Sequence, residues 1–199
     1  MSDEQRRLAP KEAELTVMNL VPGALKPAII DKVRIVWLGT NYPRGGETNL
    51  VADPAAMNYI LNLQVPLDMV TVDFKGPSGT YAVRVTQAEI NEQMPGLGPL
   101  IDTPVRGRHG GAFQTFGAYS VNLFDHVNYK SGPRSRAIFD VVAVAILKNA
   151  DWGEVNTLPC PLYRVEDDTW VEQPNNPREI RIWKNFDAER IKADFYHTL

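Results

Sequence analysis

The sequence predicts an α/β fold whose mostly parallel, open sheet is flanked by helices. The first observation is the nearly continuous apolar run "VRIVWLG" at residues 33–39, which is typical of a parallel strand buried on both faces. The second is the order of strand, loop, helix and strand over residues 33–74, which indicates a βαβ unit. The chain has 199 residues, enough for one domain with a sizeable core.

Composition and charge exclude several classes of protein. Hydrophobic residues make up 44% of the chain and the net charge is −3, so nothing favours nucleic acid or an anionic membrane as a partner. Cys160 is the single cysteine, which excludes an internal disulfide framework or a multi-cysteine metal site. The charged N-terminus is unlike a secretory signal, and no run reaches the roughly 20 apolar residues of a membrane helix. We therefore expect a cytoplasmic protein.

The first half of the chain supplies the βαβ unit. Residues 1–14 are predicted to be a polar leader, and residues 15–199 a single domain. Residues 15–21 ("LTVMNLV") are predicted to form a short buried strand, followed by a helix or turn that Pro27 interrupts. After strand 33–39 and a polar loop, Asp53-Pro54 provides an N-cap and a first helical position. Residues 65–74 are predicted to be the next strand.

The second half is less regular. Residues 75–112 are rich in glycine and proline, but Thr86 and Glu89 have the spacing of a capping box at a helix start. Residues 116–129 are predicted to be helical, and residues 135–149 are predicted to be a buried helix. Short strands around turns follow, and a final amphipathic helix is capped by Asp187.

Glu47 and Asn49 are the first candidate ligand-binding residues. They lie in the loop after strand 33–39, and open parallel sheets bind ligands in loops beyond the carboxyl ends of their strands. A carboxylate that accepts hydrogen bonds and an amide that donates and accepts them could together hold a vicinal diol such as ribose. The alternative is that the two side chains cap a helix or are solvated in the loop.

Asp140 is the second candidate, because apolar residues surround it in "IFDVVAVAIL". A buried, unpaired carboxylate is costly, so four outcomes are open. It could be a helix N-cap, pair with Arg134 or Arg136, be partly exposed, or bind a hard cation such as Ca²⁺.

His109 is the third candidate, since it lies in the glycine-flanked loop "RGRHGG". It could donate a proton to a ligand or simply be solvated. His126 and His197 are expected to be structural or exposed, and Cys160 has no nearby histidine to make it a nucleophile. Phosphate-binding, dinucleotide-binding, zinc-protease and serine-hydrolase motifs are absent from the sequence.

Three ordered segments resemble the inosine/uridine-preferring nucleoside hydrolases. The first is "DKVRIVWLGTNYPRGGETNLVADPAAMNYILNLQVPLDMVTV", with a strand ending in glycine, Glu-x-Asn and Asp-Pro. The others are "RAIFDVVAVAILKNADW" and "NNPREIRIWKNFDAERIKADFYHTL". The resemblance extends from about residue 15 to the C-terminus. It implies the family's α/β fold, apparently without its first strands, because the family's opening "DxDxGxDD" motif is absent.

The resemblance implies hydrolysis of the N-glycosidic bond of ribonucleosides, an activity of purine and pyrimidine salvage. By it Glu47 and Asn49, and also Asn41, would bind ribose hydroxyls, and Asp140 would be a Ca²⁺ ligand. Many members place a histidine before that aspartate to assist the leaving base. Phe139 stands there in this chain, and His109 or Tyr119 is a candidate substitute.

The missing acidic motif leaves the activity of the chain open. The chain is expected to be a nucleoside hydrolase, shortened or completed by a partner, or else a non-catalytic ribose-binding or scaffold subunit. Because an apolar strand 33–39 requires cover, we expect a homo-oligomer or a complex with a partner chain.

Overall fold

A computed structural model describes residues 33–129 and 132–199. These residues form a mixed α/β fold whose main sheet has four strands. The strands are β1 (Ile35–Leu38), β2 (Leu67–Val70), β3 (Arg84–Thr86), β4 (Val105–Arg106), β5 (Ala112–Phe113), β6 (Ser135–Ala137), β7 (Glu154–Pro159), β8 (Leu162–Arg164), β9 (Thr169–Val171) and β10 (Glu179–Lys184). The α-helices are α1 (Thr48–Ala52), α2 (Pro54–Asn62), α3 (Gln87–Gln93), α4 (Phe116–Asp125), α5 (Phe139–Lys148) and α6 (Ala188–Thr198).

The main sheet has the strand order β1-β2-β10-β7. Strands β1, β2 and β10 are parallel to one another, whereas β7 is antiparallel to β10. The predicted mostly parallel sheet flanked by helices is therefore confirmed. Three two-stranded sheets, β3-β6, β4-β5 and β8-β9, lie outside it.

Both faces of the main sheet are covered by apolar side chains. On one face, α1, α2 and the β8-β9 hairpin pack against β2 and β10, and the buried cluster includes Leu50, Met57, Met69, Tyr163 and Ile182. On the other face α5 packs against the sheet through Ile146, Val70 and Trp183. Helix α6 contacts α5 through Ile191 and Val142. Because helices cover both faces of the sheet, the connecting loops lie at the ends of its strands.

A buried carboxylate lies within the second face. Asp68 on β2 has a side chain with no exposed surface, and it accepts hydrogen bonds from Arg34 Nε at 2.6 Å and Trp183 Nε1 at 2.6 Å. Arg181 on β10 adds an ion pair at 2.8 Å. Burial acts to raise the pKa of Asp68, but these hydrogen bonds and the two arginine charges outweigh it, so the pKa lies below its ordinary value. Asp68 therefore links β2 to β10 through its ion pair and hydrogen bond, and its carboxylate is not available to bind a metal or substrate.

Several predicted elements are confirmed and others are corrected. The helix at Asp53-Pro54 is present, with Asp53 Oδ1 accepting from Ala56 N at 2.9 Å, and the Thr86/Glu89 capping box is formed. Strand 33–39 is predicted to be buried on both faces, and this is wrong, because β1 is half-buried and lies at the edge of the described sheet. The fully buried strand is β2.

The predicted helix 135–149 is wrong at its start. Ser135–Ala137 forms strand β6, which pairs antiparallel with β3, and the helix begins at Phe139. Helix 116–129 ends at Asp125, and the short helix α1 was not predicted. The predicted leader 1–14 and strand 15–21 lie outside the described residues. In residues 33–129 and 132–199, no helix is long and apolar enough to cross a membrane.

Candidate ligand-binding edge of the sheet

Loops that follow the three parallel strands meet at one edge of the sheet, here called the carboxyl edge. The loop after β1 joins the loop after β2 through Val72 N, which donates to Thr40 O at 2.8 Å. The loop after β2 joins the end of β10 through Asn185 N, which donates to Ser78 O at 2.6 Å. The carboxyl edge is therefore one hydrogen-bonded surface, at the place where open parallel sheets bind ligands.

Each of these strands is followed by a non-glycine residue in the left-handed region. Thr40 has φ of 65°, Asp73 has φ of 43° and Asn185 has φ of 52°. Asn and Asp adopt this region more readily than the β-branched Thr40, and strained residues, which cost on the order of 1 kcal/mol each, cluster at active sites and ligand clamps. Three of them along one edge favour a functional role for this edge.

Glu47 is the N-cap of α1, so the capping alternative is what the structure shows. Its Oε2 atom accepts from Asn49 N at 2.8 Å, from Leu50 N at 3.0 Å and from Thr40 N at 3.1 Å. The side chain is buried and holds the strained Thr40 against the helix. Within the described residues Oε1 accepts no hydrogen bond.

Asn49 and Asn41 differ in what they offer. Asn49 is exposed, and its Nδ2 donates to Leu38 O at 3.0 Å, while its Oδ1 accepts no hydrogen bond from the described residues. Asn41 is buried, and both ends of its amide are engaged: Nδ2 donates to Gly45 O at 3.3 Å, and Oδ1 accepts from Phe74 N at 2.8 Å. Asn49 is thus placed to meet a ligand, whereas Asn41 ties the two loops together.

Asp140 lies in the first turn of α5 and is exposed, so exposure is the one of the open alternatives that the structure shows, and the N-cap of this helix is Ile138. Among the described residues it forms no ion pair with Arg134 or Arg136, and Arg134 instead donates to Gln87 Oε1 at 3.0 Å. The helix periodicity explains this, because Asp140, Val144 and Leu147 all lie on the outward stripe of α5. Its carboxylate has no hydrogen-bond or ion-pair partner in the described part of the chain, and it lies beside the positive end of the helix dipole.

A row of aromatic rings links the start of α5 to the carboxyl edge. Phe139 lies 6.4 Å from Tyr81, and Tyr81 meets Phe74 edge-on at 4.9 Å, measured between ring centroids. Phe74 is the residue whose amide Asn41 binds. The structure therefore brings Asn41, which bridges the first two loops, and the turn that carries Asp140 to one side of the sheet.

His109 and Tyr119 lie around the β4-β5 hairpin. The His109 ring stacks on His126 at 4.6 Å with an interplanar angle of 4°, and Tyr119 Oη accepts from Arg108 N at 3.3 Å. Both interactions belong to the hairpin and to α4. Among the contacts of the described residues, none joins this pair to Asn49 or Asp140.

The described residues do not fit a complete calcium site. No group of three or more histidine, cysteine, aspartate or glutamate side chains within residues 33–129 and 132–199 could hold a metal ion. Asp73, the next carboxylate on the carboxyl edge, accepts hydrogen bonds from Ser78 N at 3.1 Å and Ser78 Oγ at 2.8 Å and pairs with Arg44. Burial acts to raise the pKa of Asp73, but these bonds outweigh it and lower the pKa.

The β8-β9 hairpin braces the loop after β1, which sequence reasoning missed. A Cβ atom at Gly45 would lie 1.9 Å from Asp168 O, and Tyr163 Oη donates to Asp168 Oδ1 at 2.6 Å. Tyr42 in the same loop meets Trp170 edge-on at 5.6 Å. The paired glycines at 45–46 are the only signal of this close approach in the sequence.

Comparison with solved structures supports the fold. The inosine-uridine preferring nucleoside hydrolase from Bacillus anthracis is similar with a TM-score of 0.57 and 18% sequence identity, over 92% of this chain and 55% of that one. A plant nucleoside hydrolase is similar with a TM-score of 0.53 and 13% identity, over 89% of this chain and 56% of that one. No family model matches the sequence, and no curated protein matches it.

These likenesses establish the architecture and nothing finer, because the identities are low. The chain spans little more than half the length of either hydrolase. The expected fold is nonetheless confirmed: the protein has a nucleoside hydrolase-like α/β fold.

Proposed function

We propose that this protein binds the ribose of a ribonucleoside at the carboxyl edge of its sheet. The observation that carries the proposal is the exposed Asn49 in α1, directly after the loop that follows β1, with Glu47 Oε1, which accepts no hydrogen bond from the described residues, two residues before it. A vicinal diol has two hydroxyls that can each donate a hydrogen bond, and Asn49 Oδ1 and Glu47 Oε1 can each accept one. The nucleoside hydrolase-like fold supports a nucleoside as the ligand.

We further propose that N-glycosidic hydrolysis requires carboxylates beyond those of the described residues. Loss of the base leaves an oxocarbenium-like sugar, which negative charge stabilises, and the reaction also needs an activated water. Asp140, whose carboxylate has no hydrogen-bond or ion-pair partner among the described residues, is the proposed calcium ligand. Because Ca²⁺ takes about six to eight oxygens, Asp140 alone does not make its site. His109 and Tyr119 remain candidate proton donors.

Calorimetric titration with inosine, uridine and ribose tests the binding proposal. We expect Asn49→Ala to weaken nucleoside binding by roughly tenfold, the effect of about one hydrogen bond. Asn62→Ala is the matched control, since Asn62 is also an exposed asparagine bonded to a backbone carbonyl, Asn58 O at 2.7 Å. Equal losses for both variants, or no binding of any nucleoside at millimolar concentration, would refute the proposal.

Hydrolysis is measured separately, as base release from inosine and uridine with added Ca²⁺. The proposal expects no turnover by this chain alone and turnover when a chain bearing the missing acidic motif is added. Turnover by the chain alone, abolished in Asp140→Asn, would show that the present carboxylates suffice. That result would overturn the requirement for further carboxylates but would leave ribose binding intact.

A scaffold role is a second candidate, favoured by β1, which is an edge strand of the sheet formed by the described residues. Ile35 N donates to Pro66 O and Gly39 N donates to Val70 O, so these two amides of the β1 segment face β2. In a parallel pair of strands alternate amides face the neighbouring strand, so the amides of Val36 and Leu38 face away from β2. On the neighbouring helix α5, Val144 and Leu147 are 58% and 54% exposed. Free strand edges and adjoining apolar surface favour pairing with another chain.

Light scattering at micromolar concentration tests this role. We propose a homo-oligomer or a complex with a partner chain, and expect Val144→Lys to shift an oligomer toward monomer. Amide hydrogen exchange at Val36 and Leu38 would be slow in the assembly and faster in the variant. A monodisperse monomer with slow exchange at both amides would exclude the scaffold role, because the chain itself would then cover β1.

A further inference from the structure

Phe74 is an exposed aromatic residue held in a fixed position on the carboxyl edge. It follows β2 directly, and 52% of its surface is accessible. Its backbone amide donates to Asn41 Oδ1 at 2.8 Å, so the start of its side chain is anchored to the loop after β1. The position is thus set by a specific bond, although the ring itself contributes to none of the four buried clusters.

Tyr81 packs against the ring and is itself held by Arg84. Tyr81 meets it edge-on, with centroids 4.9 Å apart and an interplanar angle of 66°. The Arg84 guanidinium in turn lies 4.7 Å from the Tyr81 ring centroid, and Arg84 Nε donates to Ser135 Oγ at 2.9 Å. An exposed ring braced by a chain of contacts that ends in β3 and β6 has less conformational freedom to lose when a ligand binds.

The place of Phe74 relative to the proposed ribose site suggests a purpose for the exposed ring. Asn41, which binds the Phe74 amide, also donates to Gly45 O in the loop that carries Glu47 and Asn49. On the other side, Tyr81 leads to Phe139, the residue before Asp140. The loop that carries Phe74 is thus hydrogen-bonded to the loop that leads to Asn49, so a nucleoside held by Asn49 has an exposed aromatic ring on the adjoining loop.

We infer that Phe74 is the surface on which the aromatic base of the bound nucleoside stacks. The inference rests on the proposed function and deepens it, because it makes the ligand a nucleoside and not ribose alone. Stacking of a base on an aromatic side chain tolerates any base, since every base has a π-face. The Lys75 ammonium lies 5.6 Å from the Phe74 centroid and would also attract the π-system of a base.

The inference predicts weak discrimination between bases. Phe74, Tyr81 and Phe139 offer ring surfaces, and only the hydroxyl of Tyr81 could form a hydrogen bond with a base edge. Inosine should therefore bind more tightly than uridine, in proportion to its larger ring area, with no strict selection of purine over pyrimidine.

The test compares ribose, inosine and uridine by calorimetric titration of the wild-type chain and of Phe74→Leu. We expect inosine to bind about tenfold more tightly than ribose, and Phe74→Leu to remove most of that advantage while ribose affinity stays the same. Phe74→Trp, with a larger ring, should keep or increase the advantage. Phe116→Leu is the matched control, since Phe116 on α4 is also half-exposed at 50%.

The outcomes separate this inference from the function on which it rests. If ribose and inosine both bind and Phe74→Leu leaves their ratio unchanged, the stacking role is refuted and ribose binding stands. If neither binds, both proposals fail together. Urea denaturation of each variant shows that the fold is retained, which the exposure of Phe74 leads us to expect.

Discussion

Replacement of Glu47 by alanine should destabilise the protein by about 2–4 kcal/mol. The substitution removes the acceptor for three backbone amides, and two of these belong to Thr40 and Leu50, which are completely buried. Loss of an N-cap costs about 1 kcal/mol, and a buried amide left without a partner adds about 1–3 kcal/mol. Glu47→Gln keeps an acceptor oxygen and loses only its charge, so it should cost roughly 1 kcal/mol.

Urea denaturation at neutral pH measures both costs, provided that the dependence of free energy on urea stays constant across the variants. Glu166→Ala is the control, because Glu166 is exposed in the β8-β9 turn, and it should change stability by less than about 0.5 kcal/mol. The capping interpretation fails if Glu47→Ala is as stable as this control. Ribose titration of the stable Glu47→Gln variant then tests separately whether the carboxylate also meets a ligand.

Three other predictions concern a glycine, a buried carboxylate and calcium. Gly45→Ala should cost about 2 kcal/mol in urea denaturation, because its Cβ would clash with the Asp168 carbonyl, whereas Gly132→Ala, whose nearest contact is at 3.5 Å, should be nearly neutral. The lowered pKa of Asp68 means that its stabilisation is present above the ordinary value of 3.8 and is lost as pH falls through the folded-state pKa. In acid denaturation, the stability of Asp68→Asn should therefore fall less with decreasing pH than that of the wild-type chain. Calorimetry should show calcium binding no tighter than roughly millimolar, and micromolar binding would require carboxylates not located here.

Elements whose signals are local could be predicted from the sequence. Asp53-Pro54 and the Thr86/Glu89 pair fix helix starts through bonds that span a few residues, and both are present. The apolar run at 33–39 correctly indicated a parallel strand. The prediction that this strand is buried on both faces was wrong, because local hydrophobicity does not say which strands lie beside it. In the structure β1 is half-buried at the edge of the described sheet.

Features that depend on distant residues could not be predicted. Ser135–Ala137 continues an Ala/Val-rich helical pattern in sequence, yet pairing with β3 makes it a strand. For Asp140 the apolar neighbours in sequence left burial and exposure open, and the position of Asp140 on α5 turns it outward. For Glu47 the sequence left both helix capping and ligand binding open. The structure shows that Glu47 caps the helix, because its Oε2 accepts hydrogen bonds from three backbone amides, one of which, on Thr40, lies outside the helix.

The contact between Gly45 and the β8-β9 hairpin has a consequence for the order of biosynthesis. Residues 40–47 leave the ribosome long before Asp168 and Tyr163, which hold them in shape. The end of β10, whose Asn185 amide binds Ser78 O, is made later still. We therefore predict that nascent chains halted before residue 160 are cleaved by protease within residues 40–47, and that the full-length chain resists cleavage there. If both resist equally, the loop acquires its shape unaided; otherwise the carboxyl edge is completed only after the residues of β10 have been made.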